Sequence, residues 1–148
     1  MFRFALWLGA DRSEAQDITS ETFVRAWAGS GDLRMNTVKA YLMAIARNLF
    51  LQRLRRSRRH AELDPELPDP ASGPERQAER RDELHAVLRR LQQLPEADRA
   101  ALIMHAGLEM PYEEIARVLG RSLSAVKVGI HRTRIRLARI RHQEGDEP

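Results

Sequence analysis

The chain has no cysteine, which removes disulfide frameworks and thiolate zinc sites together and makes an intracellular setting the easiest fit. Aromatic residues are scarce at 5%, and β-branched residues are few, so a sheet core is disfavoured and an all-α fold is expected. No long apolar run is present. The longest window, Phe2 to Leu8, is interrupted by Arg3 and is far too short to cross a bilayer. It also lacks the basic start and small-residue cleavage pattern of a signal peptide, so it reads as part of a core helix. What remains is a chain of 148 residues with 43% apolar and 31% charged side chains, enough for one ordinary domain or two small ones. The net charge of +4 conceals segregation: five arginines fall within Arg53 to Arg59 and five more within Arg132 to Arg141. Clusters of this kind raise local positive potential and suit phosphate backbones, although outside a motif they are as often plain solvated faces.

Residues 1 to 10 read as the end of a helix closed by Gly9. A second helix is expected from Ser13 to Ala28, with Ser13 and Gln16 at capping-box spacing and Ala15, Ile18, Thr22, Phe23 and Ala26 on its inner face. After Gly29-Ser-Gly31 and a loop to Asn36, a longer helix carries Val38, Tyr41, Leu42, Ile45, Ala46 and Leu49 as its apolar stripe. That stripe fades where the arginines begin. Residues 61 to 81 contain Pro65, Pro68, Pro70, Gly73 and Pro74 among many acids, the composition of a flexible linker. Helical pattern resumes with Leu84, Val87, Leu88 and Leu91, breaks at Leu94-Pro95, and restarts with Pro95 in the first turn. That helix ends at Gly107, and residues 143 to 148 form an acidic tail.

From Pro111 to about Ile140 the pattern is that of a helix-turn-helix. Such a unit needs a small residue where the helices cross, a residue tolerant of positive φ in the turn, and an apolar inner face on the second helix. Ala116, Gly120 and Val126 meet these needs, and Ile130, Thr133 and Leu137 extend the inner stripe. Ser122 or Ser124 caps the second helix, whose amino-terminal amides would then face a phosphate. Lys127, Val128 and His131 would look into the major groove, with Arg132 and Arg134 beside the backbone. Gly129, inside that helix, costs about 1 kcal/mol relative to alanine, and either close approach to DNA or simple drift would account for it.

The upstream helix offers a second nucleic-acid signal. Tyr41 can stack on an unpaired base and Asn48 can bond a base edge, although Tyr41 also suits a core and Asn48 a solvated face. Arg47 lies beside Asn48, and Arg53, Arg55 and Arg56 beyond it are phosphate ligands by default, giving affinity and salt dependence rather than sequence choice.

With both segments in view, the chain resembles an RNA polymerase sigma factor of the extracytoplasmic-function (ECF) group, small sigma-seventy relatives built from regions 2 and 4. The stretch Asp11 to Trp27 resembles the part of region 2 that grips the polymerase clamp, which implies that role for Asp17, Glu21, Thr22, Phe23 and Arg25. Tyr41 to Asn48, followed by Arg53 to Arg56, resembles the helix that melts and reads the minus-ten element, and Leu33 and Asn48 match positions lining a flipped-base pocket. Leu94-Pro-Glu96, Gly107-Leu108 and Tyr112 through Arg134 resemble region 4, which implies reading of the minus-thirty-five element by Lys127, Val128, His131 and Arg132. The chain departs from the family where Val128-Gly129 stands for a frequent Ser-Arg, Gln52 for Asp and Tyr41 for Trp, and Met1 falls midway through a normally longer first helix.

The resemblance implies two small helical domains, region 2 over 1–60 and region 4 over 82–142, joined by the linker 61–81. It implies core RNA polymerase as partner, through the clamp of the largest subunit and the flap of the second largest, together with double-stranded and locally melted promoter DNA. An anti-sigma factor, a cytoplasmic location without membrane insertion, and no cofactor, metal or catalytic activity are further expectations. Two other readings remain: a stand-alone helix-turn-helix regulator that uses residues 1 to 60 for dimerisation or sensing, and a nuclease built on His105 with Glu109, or on Glu113 and Glu114.

Overall fold

A computed structural model describes residues 1–29, 37–63 and 82–145, and among them every regular element is a helix. In the amino-terminal half these are α1 (Phe2–Leu8), α2 (Arg12–Ala28) and α3 (Val38–Leu63). Gly9, at φ 127°, closes α1 as expected. The capping box of α2 lies two residues earlier than the sequence spacing suggests: Asp11 accepts from the Glu14 amide at 2.8 Å, and the Glu14 carboxylate accepts from the Asp11 amide at 3.1 Å. A carboxylate is a stronger acceptor than the Ser13 hydroxyl and complements the positive end of the helix, so it sets the start.

The inner face of α2 is Ala15, Ile18 and Thr22, but Phe23 points outward and is 53% exposed. On α3 the buried set is Ala40, Met43, Ala46, Leu49 and Phe50, while Val38 is 75% exposed and Tyr41, Leu42 and Ile45 are half-buried. The expected stripe is thus rotated by about one residue. Ala40 and Ala46 take the tightest positions because a small side chain allows closer helix approach. Helix α3 also runs through Leu63, so the first three residues of the expected linker are helical, and 64–81 lie outside the described residues.

The carboxy-terminal half holds α4 (Asp82–Gln92), α5 (Glu96–Leu102), one π-helical turn (Ile103–Gly107), α6 (Tyr112–Leu119) and α7 (Leu123–Gly145). Pro95 is the N-cap of α5 at ψ 143°, one position before the first turn where the sequence placed it. Gly120 adopts the left-handed conformation, φ 63° and ψ 34°, and turns α6 into α7. Helix α7 passes the expected end at Ile140 and reaches Gly145, and Arg90 of α4 donates to Glu144 at 2.6 Å.

The two halves pack against each other. One apolar core runs from Phe4 and Leu8 through Leu49 to Leu94, Met104, Ile115 and Ile130. Helix α1 meets α4 and α5, and α3 meets α6. Trp7 lies so close to Gly107 that a Cβ there would come within 2.7 Å of the indole ring, which would then have to shift.

A side chain at position 120 would meet nothing within 4 Å, so its whole penalty is backbone strain. Gly120→Ala is therefore expected to lower stability by about 1–2 kcal/mol, read from urea unfolding, with no change in helix content at zero denaturant.

Candidate nucleic-acid interface

The helix-turn-helix is built as its sequence indicates. Ala116 is buried where α6 and α7 cross, and Val126, Ile130 and Thr133 face inward from α7. Of the two candidate caps, Ser122 serves: its hydroxyl accepts from the Ala125 amide at 3.1 Å. Ser124, Lys127, Val128, His131, Arg132 and Arg134 all lie exposed on the outer side of α7, as does Ser122 at its start. The Lys127 ammonium stands 6.0 Å from the centre of the Tyr112 ring, a cation–π distance, and Tyr112 in turn stacks on His105 with centroids 4.4 Å apart. His105 also turns Nδ1 toward the Met110 carbonyl at 3.4 Å.

Gly129 is not on the outer face of α7. It is buried on the inner side of α7, where an added Cβ would sit 3.4 Å from the Asp98 carboxylate of α5. The position is an ordinary van der Waals contact within the fold, and the Thr133 hydroxyl donates to its carbonyl at 2.7 Å.

On α3, Asn48, Arg55 and Arg56 are exposed, with Arg58 and Arg59 continuing the basic run. Tyr41 is half-buried, its hydroxyl against Gly29 at the end of α2. Leu33 lies outside the described residues. Two arginines differ from the simple picture of free phosphate ligands. Arg53 reaches Asp17 at 3.6 Å and Glu21 at 3.8 Å, long and partly solvated contacts that bind it only loosely. Arg47 is held much more firmly: Nε and Nη2 donate to the two carboxylate oxygens of Glu96, each at 2.8 Å, with both side chains largely shielded from water.

Along α2, Asp17 and Phe23 are exposed, and Arg25 donates to Glu21 at 2.8 Å. Thr22 stands apart from them: it is fully buried, and its hydroxyl donates to the Ile18 carbonyl at 2.6 Å, so no partner reaches it in this conformation. Two residues that the sequence reading passed over belong with Phe23. Val24 is 66% exposed and Trp27 is 93% exposed, which gives α2 an outward apolar ridge. The signal was a Phe, a Val and a Trp at three- and four-residue spacing off the inner stripe.

One buried cation completes the electrostatics. Arg99 of α5 is held below the usual guanidinium range by desolvation, and the nearby Glu96 charge opposes that shift. Its Nη1 donates to the Leu94 carbonyl at 3.2 Å, while its Nε has no partner.

The family profile for sigma-70 region 2 matches residues 1–60, and that for sigma-70 region 4 matches residues 84–137. The ECF RNA polymerase sigma factor SigE of Mycolicibacterium smegmatis is 35% identical over 142 residues, covering 93% of this chain and 55% of its own length. RNA polymerase sigma factor NccH of Alcaligenes xylosoxydans xylosoxydans is 31% identical over 141 residues, covering 89% of this chain and 75% of its own length. Among solved structures, the sigma factor RpoE of Bartonella quintana, in complex with the anti-sigma factor NepR, superposes with a TM-score of 0.76 at 25% identity, covering 99% of this chain and 91% of RpoE. The chain belongs to the sigma-70 family of RNA polymerase sigma factors, in its extracytoplasmic-function group, a class that directs promoter-specific transcription initiation.

Because Gly129 meets only an ordinary contact and sits in a helix interior, Gly129→Ala is expected to raise stability by about 0.5–1 kcal/mol in a thermal melt. Binding of upstream duplex should stay within twofold, since the added methyl points away from the outer face of α7.

Proposed function

We propose that the chain binds core RNA polymerase through the outer side of α2 and holds promoter DNA at two places, α3 at the minus-ten element and α7 at the minus-thirty-five element. The observation that carries this reading is the pairing of two outward basic surfaces on one chain: the exposed face of α7 from Ser124 to Arg134, and the exposed arginines Arg55 and Arg56 of α3. On α2, Asp17, Glu21, Phe23 and Arg25 supply the polymerase contact, and the ridge of Val24 and Trp27 extends it. Thr22 contributes by holding the helix rather than by touching the partner.

On this reading region 4 spans 82–142 and docks on duplex DNA. The amino-terminal amides of α7 point at a phosphate, Lys127, Val128 and His131 read base edges, and Arg132 and Arg134 grip the backbone. Region 2 spans 1–60 and stabilises an opened strand. Unstacking costs roughly a few kcal/mol per step, which a protein offsets only by holding the single strand; Asn48 offers a base-edge partner, Tyr41 an aromatic face, and Arg47, Arg53, Arg55 and Arg56 the phosphate ligands. Catalysis belongs to the polymerase, and the chain needs no cofactor for these roles.

Among the described residues no helix is long and apolar enough to cross a membrane, and the work itself places the chain in the bacterial cytoplasm. An anti-sigma factor is a natural further partner, since RpoE was solved with NepR bound. The flap of the second-largest polymerase subunit is the expected anchor for region 4.

Reconstitution with bacterial core polymerase and run-off transcription over a genomic promoter library test the reading. Failure both to associate and to initiate at any promoter would end it. Lys127→Ala should weaken one upstream base position by about 1–3 kcal/mol, whereas Arg56→Ala should weaken binding evenly across sequences and reduce the salt slope by about 1.

A further inference from the structure

We propose that Tyr112, its ring fixed by His105, is a positioning residue that sets the Lys127 side chain for base reading by α7. The inference rests on the assignment of Lys127 to the minus-thirty-five surface and adds to it a residue on α6 that acts through the lysine. Lys127 lies exposed in the second turn of α7, and a lysine carries its ammonium on a flexible four-carbon stem. Freezing such a stem against a base costs rotamer freedom, and a side chain already held near its bound position loses less of it. Among the described residues no carboxylate forms an ion pair with Lys127; its ammonium stands instead over the Tyr112 ring, 6.0 Å from the centroid. That distance is the outer edge of a cation–π contact, so the ring biases the lysine without sequestering it.

The ring itself is held in place. Tyr112 is the first residue of α6 and packs half-buried against the core, and His105 covers one of its faces with the two planes 22° apart. An uninterrupted helix would separate residues seven apart by about 10.5 Å along its axis, so the stack needs a reversal of the chain. The segment between them supplies one. Helix α5 widens into the π-turn, in which the Leu108 amide donates to the Ile103 carbonyl at 3.1 Å and the Met110 amide to the Met104 carbonyl at 2.9 Å. Glu109 then takes φ 55°, a left-handed conformation that residues other than glycine rarely adopt, and the Met110 carbonyl comes back to within 3.4 Å of His105 Nδ1. A π-turn and a left-handed glutamate both cost energy and persist where the surroundings fix them, commonly at functional sites. Here they deliver an aromatic pair beside the outer face of α7.

The contact can be read without DNA. Lys39 and Lys127 are the two lysines of the chain, so lysine labelled with carbon-13 at Cε gives two signals that single substitutions assign. In the full-length free protein, the Lys127 ε protons should move downfield in Tyr112→Leu, which removes the ring current, and stay in place in Tyr112→Phe. For the DNA readout, the full-length chain selects from a randomised duplex pool, and single-pair variants of the enriched duplex locate the pair whose preference is lost in Lys127→Ala. Tyr112→Leu should reduce the preference at that pair by about two- to fivefold and leave the other pairs unchanged. Tyr112→Phe should retain it, and His105→Ala should lose part of it. In a Lys127→Ala background, Tyr112→Leu should change nothing further. Circular dichroism checks that each variant is folded, and Tyr112→Met replaces Tyr112→Leu if the latter is not.

A Lys127 signal that does not move in Tyr112→Leu, or a base preference intact in that variant, overturns the assignment. A loss shared by Tyr112→Phe, or one that adds to the effect of Lys127→Ala, means that Tyr112 meets DNA itself and overturns it as well. An intact preference in His105→Ala removes His105 from the device. If no duplex is enriched, or Lys127→Ala leaves every preference unchanged, the reading of bases by Lys127 fails first and the positioning role falls with it, a result recognised without any substitution at Tyr112.

Discussion

The structure depends on how a chain this short buries enough apolar surface to hold its described helices together. Separately, α1 to α3 and α4 to α7 would each be near the lower limit at which a hydrophobic core sustains a fold. They share one instead, through α1 against α4 and α5, and through α3 against α6. Everything charged is arranged around that shared core. The outer face of α7 and the arginines at the end of α3 are left outside it, while Arg47, Glu96 and Arg99 fall at its edge, where desolvation makes pairing matter.

This division explains why arginines of similar sequence context behave differently. Arg55 and Arg56 are exposed to water, so their charges act as long-range positive potential. Arg53 is pulled sideways toward Asp17 and Glu21 on α2 at distances too long for strong bonds. Arg47, one turn and a half earlier on the same helix, sits where α3 meets the other half, and its fork is filled. A charge count along the sequence treats these residues alike; their solvation separates them.

The local rules were legible in the sequence because they depend on neighbours a few residues away. Gly9 and Gly120 mark helix ends where the backbone takes a positive φ, Ser122 caps α7, and the Leu94-Pro95 break divides α4 from α5. The helix-turn-helix and its outward Lys127, Val128 and His131 followed from three small or apolar residues at fixed offsets. Less legible was the side on which a broadly apolar helix is buried. Phe23 and Val38 look like core residues by spacing, yet α2 and α3 turn them outward, because the smaller Ala40 and Ala46 let the backbones approach more closely. The start of α2 at Asp11 was missed for a related reason, since a serine and an aspartate two residues apart offered competing caps and the carboxylate is the stronger acceptor.

The sequence by itself determined the fold class, the helix boundaries to within a few residues and the two basic surfaces, because propensity, capping and periodicity act within a turn or two of chain. Only the tertiary structure decided that the halves share a core, that Gly129 is buried beside Asp98, and that Arg47 meets Glu96. Those outcomes join residues tens of positions apart, and their energy comes from water removed at a seam that no local pattern records.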